Sequence, residues 1–186
     1  MMLVIVALED ELSRQPLPPG VVLEHCGVGK VNAALATAEA LRRHEPRTVV
    51  NFGTAGAVRT GVHGLVEVTR VRHRDMLAVP LAARGVTPFD ARAPELGNGR
   101  AGLCCGSGDS FVTAADPWLL EAGIDLVDME LWGIACACDR AGVPWRAWKY
   151  VTDRADEGAA DDWQAKVGAG ERLFLAQLGA TLAGRN

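Results

Sequence analysis

Two segments, Leu126-Val127-Asp128-Met129-Glu130 and Trp148-Lys149-Tyr150-Val151-Thr152-Asp153, narrow the fold of this chain more than any other part of it. Each is an apolar, strand-like run that delivers an acid at its carboxyl end. Between them, Leu131 to Arg140 reads as a helix, and Gly142-Val143-Pro144 stops it. The result is a strand–helix–strand unit with a carboxylate at the end of each strand. Open α/β sheets build their ligand sites at those ends. Two acids placed there point to a polar substrate and acid/base chemistry.

The rest of the chain fits one domain over residues 1–186, long enough to bury a full core. Hydrophobic residues make up 49% and charged residues 23%, the balance of a globular chain rather than a disordered one. The net charge of −4 favours neither nucleic acid nor an anionic membrane as a partner. Arg70, Arg72 and Arg74 alternate, which puts them on one solvated side of a strand. No apolar run has membrane-spanning length. Met1 to Leu8 is too short for a signal peptide, and acids follow it at once. The five cysteines lack zinc spacing and sit mostly in apolar segments, so buried, reduced thiols in a cytoplasmic protein are expected, with no metal.

Along the chain, Met2 to Leu8 reads as a strand buried on both faces, and Val21 to Cys26 as a second. Gly27-Val28-Gly29-Lys30 turns into a helix on which Val31, Leu35, Ala38 and Leu41 hold helical spacing. Arg47 to Phe52 is a third strand, running into a small-residue turn at Gly53-Thr54-Ala55-Gly56. Gly64 to Arg72 alternates as a strand. His73 to Arg100 is irregular, with room for a loop over a site and one histidine, His73, beside it. Ala101 to Cys105 is a short strand, and Ala115-Asp116-Pro117 opens a helix. From Asp161, the residues Trp163, Val167, Phe174, Leu178 and Leu182 mark an amphipathic C-terminal helix. Strands alternating with helices predict an α/β domain in three layers.

The glycine motif Gly27-Val28-Gly29-Lys30-Val31-Asn32 starts like a dinucleotide fingerprint but breaks at Asn32, and it lacks the spacing of a phosphate loop. With five other pieces it carries a different likeness. These are Ala7-Leu8-Glu9-Asp10-Glu11, Asn51-Phe52-Gly53-Thr54-Ala55-Gly56, Gly108-Asp109-Ser110-Phe111-Val112, Val127-Asp128-Met129-Glu130 and Val151-Thr152-Asp153-Arg154-Ala155-Asp156. In this order they resemble the purine nucleoside phosphorylase and nucleosidase superfamily, most of all its 5′-methylthioadenosine/S-adenosylhomocysteine nucleosidase branch. The resemblance implies an α/β/α sandwich around a mostly parallel mixed sheet. It also implies a purine nucleoside as the small-molecule partner, no cofactor, and a homodimer.

The resemblance also implies roles. Cleaving a purine N-glycosidic bond requires protonating the base, holding a cation-like sugar and supplying a nucleophile. Asp153 resembles the acid that protonates purine N7. An unperturbed Asp has a pKa of about 3.9, so this role asks the pocket to raise it. Glu130 resembles the carboxylate that holds the ribose hydroxyls, and Met129 the side chain beneath the ribose. Phe111 resembles the residue stacked on the base, while Val112 reads the adenine edge through its backbone. Glu11 resembles the acid that activates water. Thr54 and Lys149 complete the expected substrate contacts, and Asp109, Asp128 and Asp156 are expected to be structural supports.

The nucleophile separates hydrolase from phosphorylase. Phosphorylases hold a phosphate dianion with arginines; one stands two residues before the strand-end glycine, where this chain has Asn51. Lys149 stands where nucleosidases often carry Arg, and Asp128 where they have Glu. Leu131-Trp132 replace small residues and Thr54 a usual Ser. Hydrolysis of a 5′-modified adenosine is therefore expected. A phosphorylase, a hydrolase of another purine ribosyl compound such as a futalosine-like or nucleotide substrate, and a nucleoside-binding protein without turnover are the alternatives.

Overall fold

The N-terminal apolar run forms β1 (Met2–Val6), and its alternation serves two cores at once. Leu3 and Ile5 pack with residues of α1 (Lys30–His44) and α3 (Leu131–Ala141). Val4 and Val6 pack on the other face with Phe174 and Leu178 of α4 (Glu171–Leu182). Helices therefore cover both faces of the sheet, in the three layers expected. The computed structural model describes residues 1–13, 15–155, 163, 164 and 166–184. Asp156 and Asp161, named in the sequence reading, lie outside the described residues.

The remaining strands are β2 (Val21–His25), β3 (Thr48–Ala57), β4 (Gly64–His73), β5 (Glu95–Gly97), β6 (Leu103–Ser107), β7 (Leu126–Asp128) and β8 (Trp145–Asp153). A short helix, α2 (Pro117–Glu121), starts where Asp116 accepts from Trp118 N–H. The sheet is mixed and mostly parallel: β3 pairs with β1 and β8 in parallel, and β6 with β4 and β7. Antiparallel pairs join β3 to β7 and β4 to β8. The pairings β3–β8–β4–β6–β7–β3 thus close into a ring, extended by β1 and β2 on one side and β5 on the other.

That closure positions the site. Gly56 of β3 pairs with Val127 of β7 on one side and with Asp153 of β8 on the other. Both acid-bearing strand ends therefore meet across one residue of β3. The β3–β8 register slips here. Ala55 faces Val151 and Gly56 faces Asp153, so Thr152 is an extra residue in β8 with no partner in β3.

Several sequence expectations are corrected. Gly53-Thr54-Ala55-Gly56 is not a turn but the second half of β3. Its small residues make room for side chains from neighbouring segments. A Cβ on Gly53 would lie 3.2 Å from Glu11 Oε1 and 3.3 Å from Lys149 Nζ, and one on Gly56 would collide with Asp153 Oδ1. On α1, Val31 and Leu35 are both 67% exposed, and Ala38 is exposed as well. The buried face is Ala33, Thr37, Ala40 and Leu41. The cause is the contact with α3. A Cβ on Gly133 would collide with the backbone oxygen of Lys30, so the helices touch backbone to backbone and only small residues fit between them.

Arg70 and Arg72 lie on β4 and pair with Glu95, but Arg74 lies beyond the strand and is buried rather than on a solvated face. The irregular middle contains one short strand, β5. The C-terminal helix starts at Glu171, so Trp163 and Val167 precede it, and Leu182 is exposed. All five cysteines are free. Among the described residues no helix is long and apolar enough to cross a membrane.

Candidate active site

The segment after β1, the ends of β3, β7 and β8, and the stretch after β6 surround a solvent-open cavity, with about 650 Å³ of empty space including the open solvent at its mouth. Glu11, Thr54, Phe111, Val112, Met129, Glu130 and Asp153 all line it. Lys149 does not. It is fully buried beneath the cavity, with Nζ 2.6 Å from Asp128 Oδ2, so its expected place among substrate contacts is corrected. The contact is held by charge rather than by a directional hydrogen bond. Lys149 is too deep because β8 runs between β3 and β4, which leaves its mid-strand side chains covered.

The two acids of Asp128-Met129-Glu130 serve two helix ends. Asp128 Oδ2 accepts from Leu131 N–H at 3.0 Å, and Oδ1 accepts from Ser107 Oγ, whose oxygen in turn accepts from Trp132 N–H at 2.9 Å. Asp128 is thus the support for the start of α3. Glu130 Oε1 instead accepts from Gly29 N–H at 3.0 Å, at the start of α1. Unsatisfied N–H groups and the helix dipole favour negative charge there.

Burial still dominates Glu130. Desolvation, with the Asp128 carboxylate beside it, pushes its pKa up to about 7, against the opposing pull of Lys149 and of the Gly29 N–H. Burial also works against charge on Lys149, but Asp128 and Glu130 outweigh it and hold the ammonium above the usual lysine range. Asp128 is held below the carboxylate range, because Lys149 and its hydrogen bonds overcome its own desolvation.

Glu11, expected to activate water, is buried. Its Oε1 accepts from Thr54 N–H at 2.7 Å and from Thr54 Oγ1 at 2.8 Å, and its Oε2 accepts from Leu8 N–H at 3.3 Å. The Thr54 hydroxyl is therefore engaged with a protein carboxylate. Asp153 Oδ1 accepts from Ala155 N–H, and Oδ2 accepts from Thr152 Oγ1, each at 2.8 Å.

Two lining residues were missed. Trp163 stands at a helical spacing in the sequence, yet it lines the cavity and its Nε1–H donates to Thr54 Oγ1 at 2.8 Å. Its ring meets Phe111 edge-on, with centroids 6.1 Å apart. Its place in the helical spacing pointed to packing, and the signal for the site was an aromatic residue following an acidic, small-residue stretch. Arg74 was read as surface. Its guanidinium donates to the carbonyls of Gly106 and Gly108 at 3.2 and 3.0 Å, to Ser110 O, and to Ser110 Oγ at 3.2 Å. It braces the loop that presents Phe111 and Val112.

Lys30 ties that loop to α1. Its Nζ lies 2.6 Å from Asp75 and 3.1 Å from Asp109, and its N–H donates to Asp109 Oδ1 at 2.8 Å. Asp109 is thus a support. His73 stays outside the cavity lining, stacked on Trp132 with Nε2 3.1 Å from Asp75 Oδ1.

Comparison with known proteins adds a relative from Exiguobacterium sp., a 5′-methylthioadenosine/S-adenosylhomocysteine nucleosidase. It is 32% identical over 164 residues, spanning 75% of this chain and 70% of the relative. The chain belongs to this nucleosidase family. The family model of the phosphorylase superfamily matches residues 19–94. A nucleosidase of the same description from Shewanella piezotolerans is 27% identical, over 85% of this chain and 80% of the relative. Two solved structures share the fold. One is the Neisseria meningitidis 5′-methylthioadenosine/S-adenosylhomocysteine nucleosidase in complex with methylthio-immucillin-A (TM-score 0.77, 24% identity, 91% of this chain and 92% of that one). The other is the futalosine hydrolase of Helicobacter pylori (TM-score 0.87, 17% identity, 98% and 97%).

Proposed function

We propose that this chain hydrolyses the N-glycosidic bond of 5′-methylthioadenosine, S-adenosylhomocysteine or a related 5′-modified adenosine, with water as nucleophile. The observation that carries the choice of water is the seat of Glu11. A phosphate dianion needs convergent donors. Here the N–H and hydroxyl of Thr54 both close on Glu11, the Trp163 N–H closes on Thr54, and Lys149 sits on Asp128. Glu11, Asp128, Glu130 and Asp153 all border the cavity. Among the described residues the one cation that lines it, Arg74, donates to the carbonyls of Gly106, Gly108 and Ser110, so the site offers a phosphate few free donors and suits a sugar that gains positive charge as its bond breaks.

In this reading Glu130 holds the ribose hydroxyls, Met129 lies against the sugar, Phe111 stacks on the base, and Val112 offers its backbone to the adenine edge. Water bonds to C1′ as the C1′–N9 bond breaks. Asp153 gives a proton to N7, and Glu11 takes one from the water. When Asp153 carries its proton on Oδ2, the Thr152 hydroxyl can turn to Ala55 O, 3.5 Å away. The decisive experiment incubates the protein with 5′-methylthioadenosine, adenosine and inosine, with and without phosphate. Free adenine and unphosphorylated sugar, at a rate indifferent to phosphate, are expected. A sugar 1-phosphate would overturn hydrolysis, and binding without products would overturn catalysis.

The same reading makes the chain a homodimer that works in the cytoplasm. Val31 and Leu35 on α1, with Leu77, Val79 and Leu81 after β4, form apolar surface that water leaves unpartnered. The Lys30–Asp75 ion pair joins these two segments, and Val28 belongs both to this surface and to the cavity lining. Light scattering during size-exclusion chromatography should give the mass of two chains, and a monomer at micromolar concentration would refute the dimer. The free thiols support a reducing compartment, which cell fractionation tests.

A further inference from the structure

We propose that Trp163 is a positioning residue that locks the direction of the Thr54 hydroxyl and thereby leaves Oε2 of Glu11 as the oxygen that takes the proton of the attacking water. The proposal rests on the hydrolase reading above and deepens it. An indole N–H donates and never accepts, whereas a hydroxyl has one proton and two lone pairs. Trp163 Nε1–H occupies one Thr54 lone pair at 2.8 Å. The Thr54 proton then lies along the other short contact, to Glu11 Oε1 at 2.8 Å. Oε1 also receives the Thr54 N–H at 2.7 Å, which fills both of its acceptor directions. Oε2 accepts only the Leu8 N–H among the described residues, at a longer 3.3 Å, and keeps a direction open.

The water's oxygen bonds to C1′, its proton passes to Oε2, and the base leaves with the C1′–N9 electron pair. Without the indole donor, the Thr54 hydroxyl is free to turn toward the water and compete with Glu11 for it. Trp163 also lies edge-on to Phe111. A phenyl ring at position 163 keeps that aromatic wall and loses only the donor, which separates the two roles.

The test compares Trp163→Phe, Thr54→Val and the double variant on 5′-methylthioadenosine. Losing one directing hydrogen bond should lower kcat about 3–30-fold in Trp163→Phe, with KM within about 3-fold of wild type. The double variant should be no slower than Thr54→Val alone, because Trp163 acts through Thr54. A change in KM with kcat unmoved, or losses that multiply, would reduce Trp163 to pocket wall and overturn the proposal. A second readout is independent of turnover. Of the indole N–H resonances of the five tryptophans, the one missing in Trp163→Phe should move upfield in Thr54→Val. An unmoved resonance breaks the relay even in an active enzyme. If wild type releases no base while the resonance does move, the hydrolase reading has failed and the hydrogen-bond link has not, so the role given to Oε2 falls with the reading.

Discussion

Asp153→Asn should cut turnover by about 10²–10⁴-fold, the range typical of general acid catalysis, while substrate affinity stays within a few-fold of wild type. The substitution preserves shape. An Asn oxygen still accepts from Ala155 N–H, and the amide nitrogen still reaches the Thr152 hydroxyl. An amide can offer a hydrogen bond to purine N7 but cannot release a proton to it. The loss therefore belongs in kcat, with binding of unreacted substrate intact by calorimetry. Turnover within about tenfold of wild type would remove Asp153 from the acid role. A parallel collapse of affinity would mean that the local structure, and not the proton, had been lost.

Glu130→Gln should make the protein more stable and a worse enzyme, with both effects tied to pH. The folded carboxyl ionises near pH 7, against 4.5 as the ordinary value. Below about pH 4.5 both folded and unfolded chains carry the proton, and the group costs nothing. Between there and pH 7 the unfolded chain releases it while the folded chain holds it, so stability falls as pH rises. Above pH 7 the cost is complete, about 3 kcal/mol at 1.36 kcal/mol per pKa unit. Glutamine keeps an acceptor for Gly29 N–H and removes the charge.

In denaturant titrations the variant should gain up to about 3 kcal/mol over wild type at pH 8 and little at pH 4.5. An equal difference at both pH values would show that the carboxylate is not the source. In turnover, ribose hydroxyls need the ionised form, so wild-type KM should rise as pH falls below 7. Glu130→Gln should lose roughly 10–100-fold in kcat/KM, the worth of a charged hydrogen bond. A site that stores instability in its own sugar-binding acid fits the usual exchange between stability and activity.

The acids were legible because each ends an apolar run, and strand ends are written in local composition. Their convergence was legible only through the order of the motifs. What stayed hidden depends on contacts between distant segments. The exposed face of α1 carries Val31 and Leu35, against the rule that large apolar residues point inward. The backbone contact at Gly133 admits only small residues where the two helices touch, beside Lys30 and Ala34. The glycines of Gly53 to Gly56 resembled a turn, but they clear space for Glu11, Lys149 and Asp153. Lys149 looked like a substrate contact because its depth is set by β4 lying alongside β8, far away in sequence. Trp163 fell in with the apolar spacing of the C-terminal helix, which concealed that it works as a single donor rather than as part of a packed stripe.

The extra residue in β8 carries a further consequence. Side chains on a strand alternate, so the face that each one meets is a matter of odd and even. Thr152 is unmatched in β3, so Val151 and Asp153, two apart in β8, meet Ala55 and Gly56, which are one apart. Asp153 thus lies opposite Gly56, the residue whose missing Cβ makes room for its carboxylate, and the Thr152 hydroxyl beside it donates to Oδ2. The residue that the ladder leaves out is the one that holds the acid.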